Sequence, residues 1–147
     1  MKRNLIAILG TALLCLLIVN VFHKPWVGGI FQGEIDARED VTMTAVAATS
    51  TGAQFQIRNA AGSELESSPT YGLHVKKADG WHELIDLSFS HTLTLGVYPP
   101  DSLNALNLTW NSSYGTLPPG QYRIVKEFSF RENPDSAFLL AAEFTLD

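Results

Sequence analysis

The chain has 147 residues, which fits one domain of ordinary size with a short additional segment. Ten Lys and Arg residues stand against 15 Asp and Glu residues, and this net charge of −5, without a basic cluster, argues against nucleic-acid binding, because phosphates must be neutralised by cations. A hydrophobic content of 46% excludes intrinsic disorder for most of the chain.

The chain begins with an apolar run, residues 5–22, that contains no charged side chain. As a helix this run is roughly 27 Å long, about the thickness of a bilayer's hydrocarbon core. Lys2 and Arg3 precede the run and keep that end in the cytoplasm, while Pro25 ends the helix and Trp26 suits the membrane interface. We therefore expect residues 1–22 to be an uncleaved signal anchor that places the rest of the chain outside a bacterial cell membrane.

Two alternatives to a signal anchor remain open. A cleaved signal peptide would make the protein secreted, although residues 20–26 contain no Ala-x-Ala cleavage pattern and the apolar run is long for a signal peptide. A lipid anchor would use Cys15, but Leu14 precedes it where a lipoprotein signal has a small residue. Because Cys15 is the only cysteine, the chain can form no intrachain disulfide and no multi-cysteine metal site.

Residues 23–40 are predicted to be a linker. They contain Pro25 and three glycines, followed by a charged run over residues 34–40 that is typical of a solvated spacer. The folded domain is therefore expected to comprise residues 41–147.

From Val41 onward the hydrophobic pattern has a period of two, which predicts β-strands. Gly80 ends a hairpin turn, where a glycine accommodates a positive φ, and residues 59–69 and 111–120 are predicted to be loops. The candidate strands are residues 41–47, 54–58, 71–76, 81–87, 92–98, 106–110, 122–128 and 137–146. Seven to eight short strands without a helical period describe an all-β, antiparallel sandwich.

The sequence from Leu117 to Tyr122, Leu-Pro-Pro-Gly-Gln-Tyr, directly precedes an alternating strand. In immunoglobulin-like sandwiches a tyrosine near the start of the second-to-last strand hydrogen-bonds back to the backbone a few residues upstream, which is called the tyrosine corner. Here Leu117 is expected to fill the core, Pro119 and Gly120 to turn the chain, and Tyr122 to supply the ring and the hydroxyl.

Together with the hairpin before it, this block resembles a bacterial immunoglobulin-like domain family of Gram-positive surface and membrane-anchored proteins. The resemblance covers residues 41–146 and is carried by Val41-Thr42-Met43, Tyr71-Gly72, Lys77-Ala78-Asp79-Gly80-Trp81, Glu83-Leu84, Trp110, Tyr114-Gly115, Leu117-Pro118-Pro119-Gly120 and Tyr122-Arg123-Ile124-Val125-Lys126. It implies an extracytoplasmic sandwich of this immunoglobulin-like type with no established catalytic residues.

Immunoglobulin domains join their two sheets with a disulfide that packs against a buried tryptophan, and no such disulfide is possible here. Large side chains must therefore fill that space by packing alone. The residues expected in this core are Trp81, Trp110, Phe55, Phe128 and Phe144.

No residue set for catalysis, cofactor binding or metal binding emerges from the sequence. His82 and Asp86 have the spacing of a zinc-protease helix, but on a strand they lie about 13 Å apart. His74 and His82, on opposite arms of one hairpin, are expected to be solvated, and no serine occupies a nucleophile elbow. We expect no catalytic residue, no cofactor and no metal.

The sequence favours a non-enzymatic, membrane-anchored extracytoplasmic module that has a structural role or binds a protein, a peptide or a polymer of the cell envelope. Sheet edges and end loops are the usual contact surfaces of sandwiches, which directs attention to residues 59–69 and 111–120. The alternative is a proteinase inhibitor, because a bacterial intracellular proteinase-inhibitor family is a small β-sandwich with a similar Pro-Gly-x-Tyr corner. Residues 59–69 would then be the exposed inhibitory loop.

The signal-anchor assignment predicts that the mature protein retains its N-terminal residues and fractionates with membranes. Intact-mass and N-terminal peptide mass spectrometry of the membrane and soluble fractions measures both properties. A mature N-terminus between His23 and Gly33 in the soluble fraction would show that the apolar run is a removed signal peptide.

Overall fold

A computed structural model of the chain describes residues 24–88 and 95–147. Within these two ranges every regular element is a β-strand, and no helix is long and apolar enough to cross a membrane. The span expected at residues 1–22 lies outside the described residues, as does part of the strand expected at residues 92–98. The strands are β1 (Trp26–Ile30), β2 (Val41–Thr49), β3 (Gly52–Asn59), β4 (Leu65–Ser67), β5 (Gly72–Lys77), β6 (Gly80–Ile85), β7 (Gly96–Tyr98), β8 (Ser102–Thr109), β9 (Gly120–Phe130) and β10 (Asn133–Leu146).

The strands form two antiparallel sheets, which confirms the predicted all-β sandwich. The larger sheet has the order β1-β6-β5-β9-β4-β7, and β10 pairs with β9 along the whole of β9's other edge. The smaller sheet has the order β2-β3-β8. Because β5 and β4 follow each other along a single edge of β9, this strand holds the larger sheet together.

The core lies between the two sheets and is filled by alternate residues of their strands, as expected for sheets with one face buried. At its centre Phe144 of β10 stacks on Trp110, with ring centroids 5.5 Å apart, and on Tyr122 of β9, with centroids 5.8 Å apart. Phe55 of β3 meets Phe144 edge-on at 6.0 Å. Phe55 lies in β3 and Trp110 directly follows β8, and both strands belong to the smaller sheet. These rings therefore join the two sheets, as a disulfide does in immunoglobulin domains.

Trp81 does not belong to this core, contrary to expectation. Leu84 of β6 is buried between the sheets, so the alternation of the strand places Trp81 on the opposite, outer face of the larger sheet, where it is only half-buried. The other tryptophan expected in the core, Trp110, is fully buried.

The segment predicted to be a linker contains β1, which pairs antiparallel with β6 and has a bulge at its two glycines. Beyond β1, the Phe31 backbone N–H donates to the Trp81 carbonyl at 2.8 Å. Asp36 then binds the outer edge of β10: its N–H donates to the Leu139 carbonyl, and the Leu139 N–H donates to the Asp36 carboxylate, each at 2.8 Å. Residues 26–36 are therefore held against the larger sheet at both ends.

The segment predicted to be a loop at residues 59–69 contains β4, which pairs with β9 on one edge and with β7 on the other. Leu65 and Ser67 are buried, and the buried Asn59 amide donates to the Ser63, Tyr98 and Pro99 carbonyls. Most of the segment is the loop that its composition predicts, but long-range pairing makes Leu65–Ser67 a short strand.

The block from Leu117 to Tyr122 adopts the geometry of a tyrosine corner. Leu117 and Tyr122 are each only 2% exposed, and the Tyr122 hydroxyl donates a 2.7 Å hydrogen bond to the Pro118 carbonyl. Gly120 lies against the Tyr122 ring, where an added Cβ would be 3.4 Å from the ring edge, and Pro119 is exposed.

Replacing Tyr122→Phe removes this hydrogen bond and should lower the free energy of unfolding by about 1–3 kcal/mol. Tyr71→Phe is the matched control, because the Tyr71 hydroxyl makes only a long, exposed 3.4 Å bond to the Thr109 carbonyl. Urea denaturation of residues 24–147 measures both values. The corner would be unimportant for stability if Tyr122→Phe cost no more than Tyr71→Phe.

Candidate functional site

The residues singled out from the sequence do not meet at one site. Trp110, Leu117 and Tyr122 are buried in the core, Pro119 and Gly120 form the turn of the corner, and Trp81 lies on the outer face of the larger sheet. The predicted contact loops are held in part, because Leu65–Ser67 in the first form β4 and the Leu117 N–H in the second donates to the Ser50 carbonyl.

A polar cluster occupies the outer face of the larger sheet. Arg123 of β9 and His74 of β5 are directly opposite each other in the sheet, and both are more than nine-tenths buried. The Arg123 guanidinium lies 4.6 Å from the centre of the Trp81 ring and 5.1 Å from that of Phe31, so aromatic rings flank the cation on two sides. Phe31 also covers His74, with ring centroids 4.7 Å apart.

The hydrogen bond between Arg123 and His74 fixes the state of the histidine. Arg123 Nε donates to His74 Nδ1 at 3.2 Å, and because a guanidinium can only donate, Nδ1 accepts and the ring proton resides on Nε2. Burial, with a contribution from the Arg123 charge, lowers the pKa of His74 to about 4. His74 is therefore a neutral imidazole at physiological pH and not the solvated residue expected from the sequence.

The free side of His74 faces a groove of about 260 Å³ on the outer face of the sheet. Its Nε2 lies above Gly72, where an added Cβ would come within 3.0 Å of this nitrogen. Two exposed carboxylates, Glu83 and Glu127, also line the groove, and Phe31 closes one side. We call this the outer-face groove; it combines an imidazole N–H, an aromatic ring and two negative charges.

The end of the outer-face groove is formed by a bulge between β4 and β5. Four residues, 68–71, oppose only Lys126 and Glu127 of β9, because Ser67 pairs with Phe128 and Gly72 with Val125. The buried Lys126 ammonium donates to the carbonyls of Ser68 and Thr70, the latter at 3.2 Å. Burial lowers the pKa of Lys126 to about 8.

Two further cavities lie at the sandwich ends, one beside Asn59 and Asp101 and one beside Leu117 and Asp147. Neither contains a buried polar side chain without a partner.

In residues 24–88 and 95–147 no three His, Cys, Asp or Glu side chains come together as metal ligands. His74 and His82 lie on opposite faces of the sheet, because His74 pairs with Glu83 and Val75 with His82.

Sequence reasoning missed the outer-face groove. In the sequence, the alternation of β9 places Arg123 and Val125 on the outer face, where solvent-exposed side chains are expected. In the structure both side chains are buried, which marks the outer face at this point. Phe31, which covers the cluster, comes from the presumed linker, and no local pattern connects it to His74.

The fold and these contacts define a two-sheet β-sandwich with the tyrosine corner of immunoglobulin-like domains. The chain belongs to the bacterial Ig-like domain family, whose model matches residues 36–145. Among solved structures, the PapD-like domain 7 of human CEP192 is similar, with 10% sequence identity and a TM-score of 0.41 over 80% of this chain and 94% of that chain. No curated protein matches the chain significantly.

The lowered pKa of Lys126 predicts a stability that rises with pH. The unfolded chain keeps this proton up to about pH 10.5, whereas the folded chain releases it near pH 8, so between these values the unfolded state binds more protons and the free energy of unfolding increases. Urea denaturation of residues 24–147 from about pH 7 to about pH 9.5 should show this increase.

Lys126→Met should abolish the increase, whatever its effect at pH 7, whereas Lys77→Met, at an exposed lysine, should retain it. An identical pH dependence in the wild type and Lys126→Met would show that the ammonium is not held in a low-polarity site.

Proposed function

We propose that this protein is a non-enzymatic, membrane-anchored module that binds a partner outside the bacterial cell through the outer-face groove. Membership of the bacterial Ig-like domain family supports a binding or structural role, since such domains are typically not catalytic. The apolar residues 5–22 after Lys2 and Arg3 support the anchor and the orientation.

The observation that carries the binding role is the neutral His74, which lines the outer-face groove and carries its ring proton on Nε2. A ligand that supplies an acceptor can form a hydrogen bond with this N–H. A peptide carbonyl is such an acceptor. Glu83 and Glu127, on the same groove, favour a partner segment that carries a positive charge.

The arrangement does not support catalysis. A general base needs a pKa near the working pH, whereas burial lowers the pKa of His74 to about 4. For the inhibitor alternative, the pairing of Leu65–Ser67 on both edges leaves residues 60–64 as the segment of the predicted loop that could be presented.

Affinity capture tests the proposal. The full-length chain, solubilised in detergent and immobilised, should retain an envelope protein or polymer that the double variant Glu83→Gln/Glu127→Gln does not retain, because the variant removes both groove charges without disturbing buried contacts. Asp135→Asn, at an exposed carboxylate near the start of β10, is the matched control and should bind like the wild type. Equal retention by all three proteins would exclude the groove as the contact surface.

A further inference from the structure

Exposed hydrophobic side chains gather at one corner of the larger sheet. Trp26 opens β1 and lies directly opposite Ile85, which ends β6, and Val27 and Leu87 are their neighbours along the chain. These four side chains are 42–49% exposed. We call them the corner patch. Trp26 and Ile85 project from the outer face of the sheet and Val27, opposite Leu84, from the other face, so apolar side chains flank this end of β1 on both faces, and such surfaces mark contact sites.

The position of the corner patch in the chain limits what can cover it. Only residues 23–25 separate Trp26 from the uncharged run of residues 5–22. Four residue steps span at most about 14 Å, so in the anchored protein Trp26 cannot lie farther than that from the end of the membrane-spanning run. The polar layer on each side of the hydrocarbon core is itself roughly 5–7 Å thick.

We propose that the corner patch docks on the lipid headgroup layer of the membrane that anchors the same chain, an inference that rests on the proposed anchoring. Tryptophan favours this layer, where its apolar ring is partly withdrawn from water while its N–H remains hydrated. Lys24, exposed immediately before the patch, is placed to meet lipid phosphates.

The depth of docking follows from the edge of β1. Within the described residues, β1 pairs only with β6, so the backbone groups on its other edge require water or polar headgroups. The patch therefore rests in the headgroup layer and does not enter the hydrocarbon. Residues 24–147 carry 8 Lys and Arg against 15 Asp and Glu, or 8 − 15 = −7, so anionic lipids repel the rest of the domain.

Docking at this corner determines where the outer-face groove lies relative to the membrane surface. Glu83 of β6 lines the outer-face groove and lies two residues before Ile85 on the same face, about 7 Å along the strand, while His74 of β5 and Val125 of β9 extend the groove across the sheet, away from the corner patch. The groove is thus close to the membrane surface but is not covered by the corner patch. A partner reaching it would approach along the membrane.

Lipid-dependent fluorescence quenching tests the proposal on the full-length chain in single-chain nanodiscs. On a Cys15→Ser background, a fluorophore is attached at Ile85→Cys, or at Leu103→Cys as the control, because Leu103 is 59% exposed on β8 of the other sheet. Lipids with a nitroxide on the headgroup should quench most of the fluorescence at position 85 and little at position 103.

A second pair of variants excludes an effect of labelling. Val27→Glu should reduce the quenching at position 85, whereas Val46→Glu, at an exposed valine of β2, should not. Unquenched fluorescence at position 85 in nanodisc-bound protein would overturn the docking while leaving the anchor intact. A label at position 85 that is shielded from an aqueous quencher but unquenched by lipid would indicate a second copy of the chain or another protein as the occupant. Protein that fails to enter nanodiscs at all would overturn the anchoring itself.

Discussion

The stack of Trp110, Phe144 and Tyr122 is the contact on which the sandwich depends. Each ring comes from a different part of the chain, and Phe144 lies between the other two with centroids 5.5 and 5.8 Å away. A fully buried side chain of this kind stabilises a fold by roughly 1.5–3 kcal/mol, so several together can replace a disulfide. The corner hydrogen bond then fixes the Tyr122 ring at one end of the stack.

The larger sheet is buried on both faces at its centre, and this burial creates the candidate site. On the inner face β9 contributes to the aromatic core; on the outer face its Arg123 lies under Phe31 and beside Trp81. The segment that follows β1 is thus part of the folded domain. By covering Arg123 and His74 it contributes to the burial that keeps the imidazole neutral.

The proposed groove and the proposed membrane contact share one structural origin, the pairing of β1 with β6. This pairing brings Phe31 to the outer face and exposes the hydrophobic edge residues Trp26 and Val27. A domain joined to its anchor by a free linker would have no fixed orientation. Here only residues 23–25 separate β1 from the apolar run, which limits the orientations open to the domain.

The sequence by itself determined the features that depend on local periodicity: the alternation of β2, β3, β5 and β9, the turn at Gly80, and the corner block ending in Tyr122. These are readable because one buried face imposes a period of two on neighbouring residues. Only the tertiary structure decided that β1 and β4 are strands, that Trp81 faces outward, and that Phe31, His74 and Arg123 meet. These features depend on contacts between residues that are far apart in the sequence, such as the pairing of Ser67 with Phe128. A local sequence pattern does not predict such contacts.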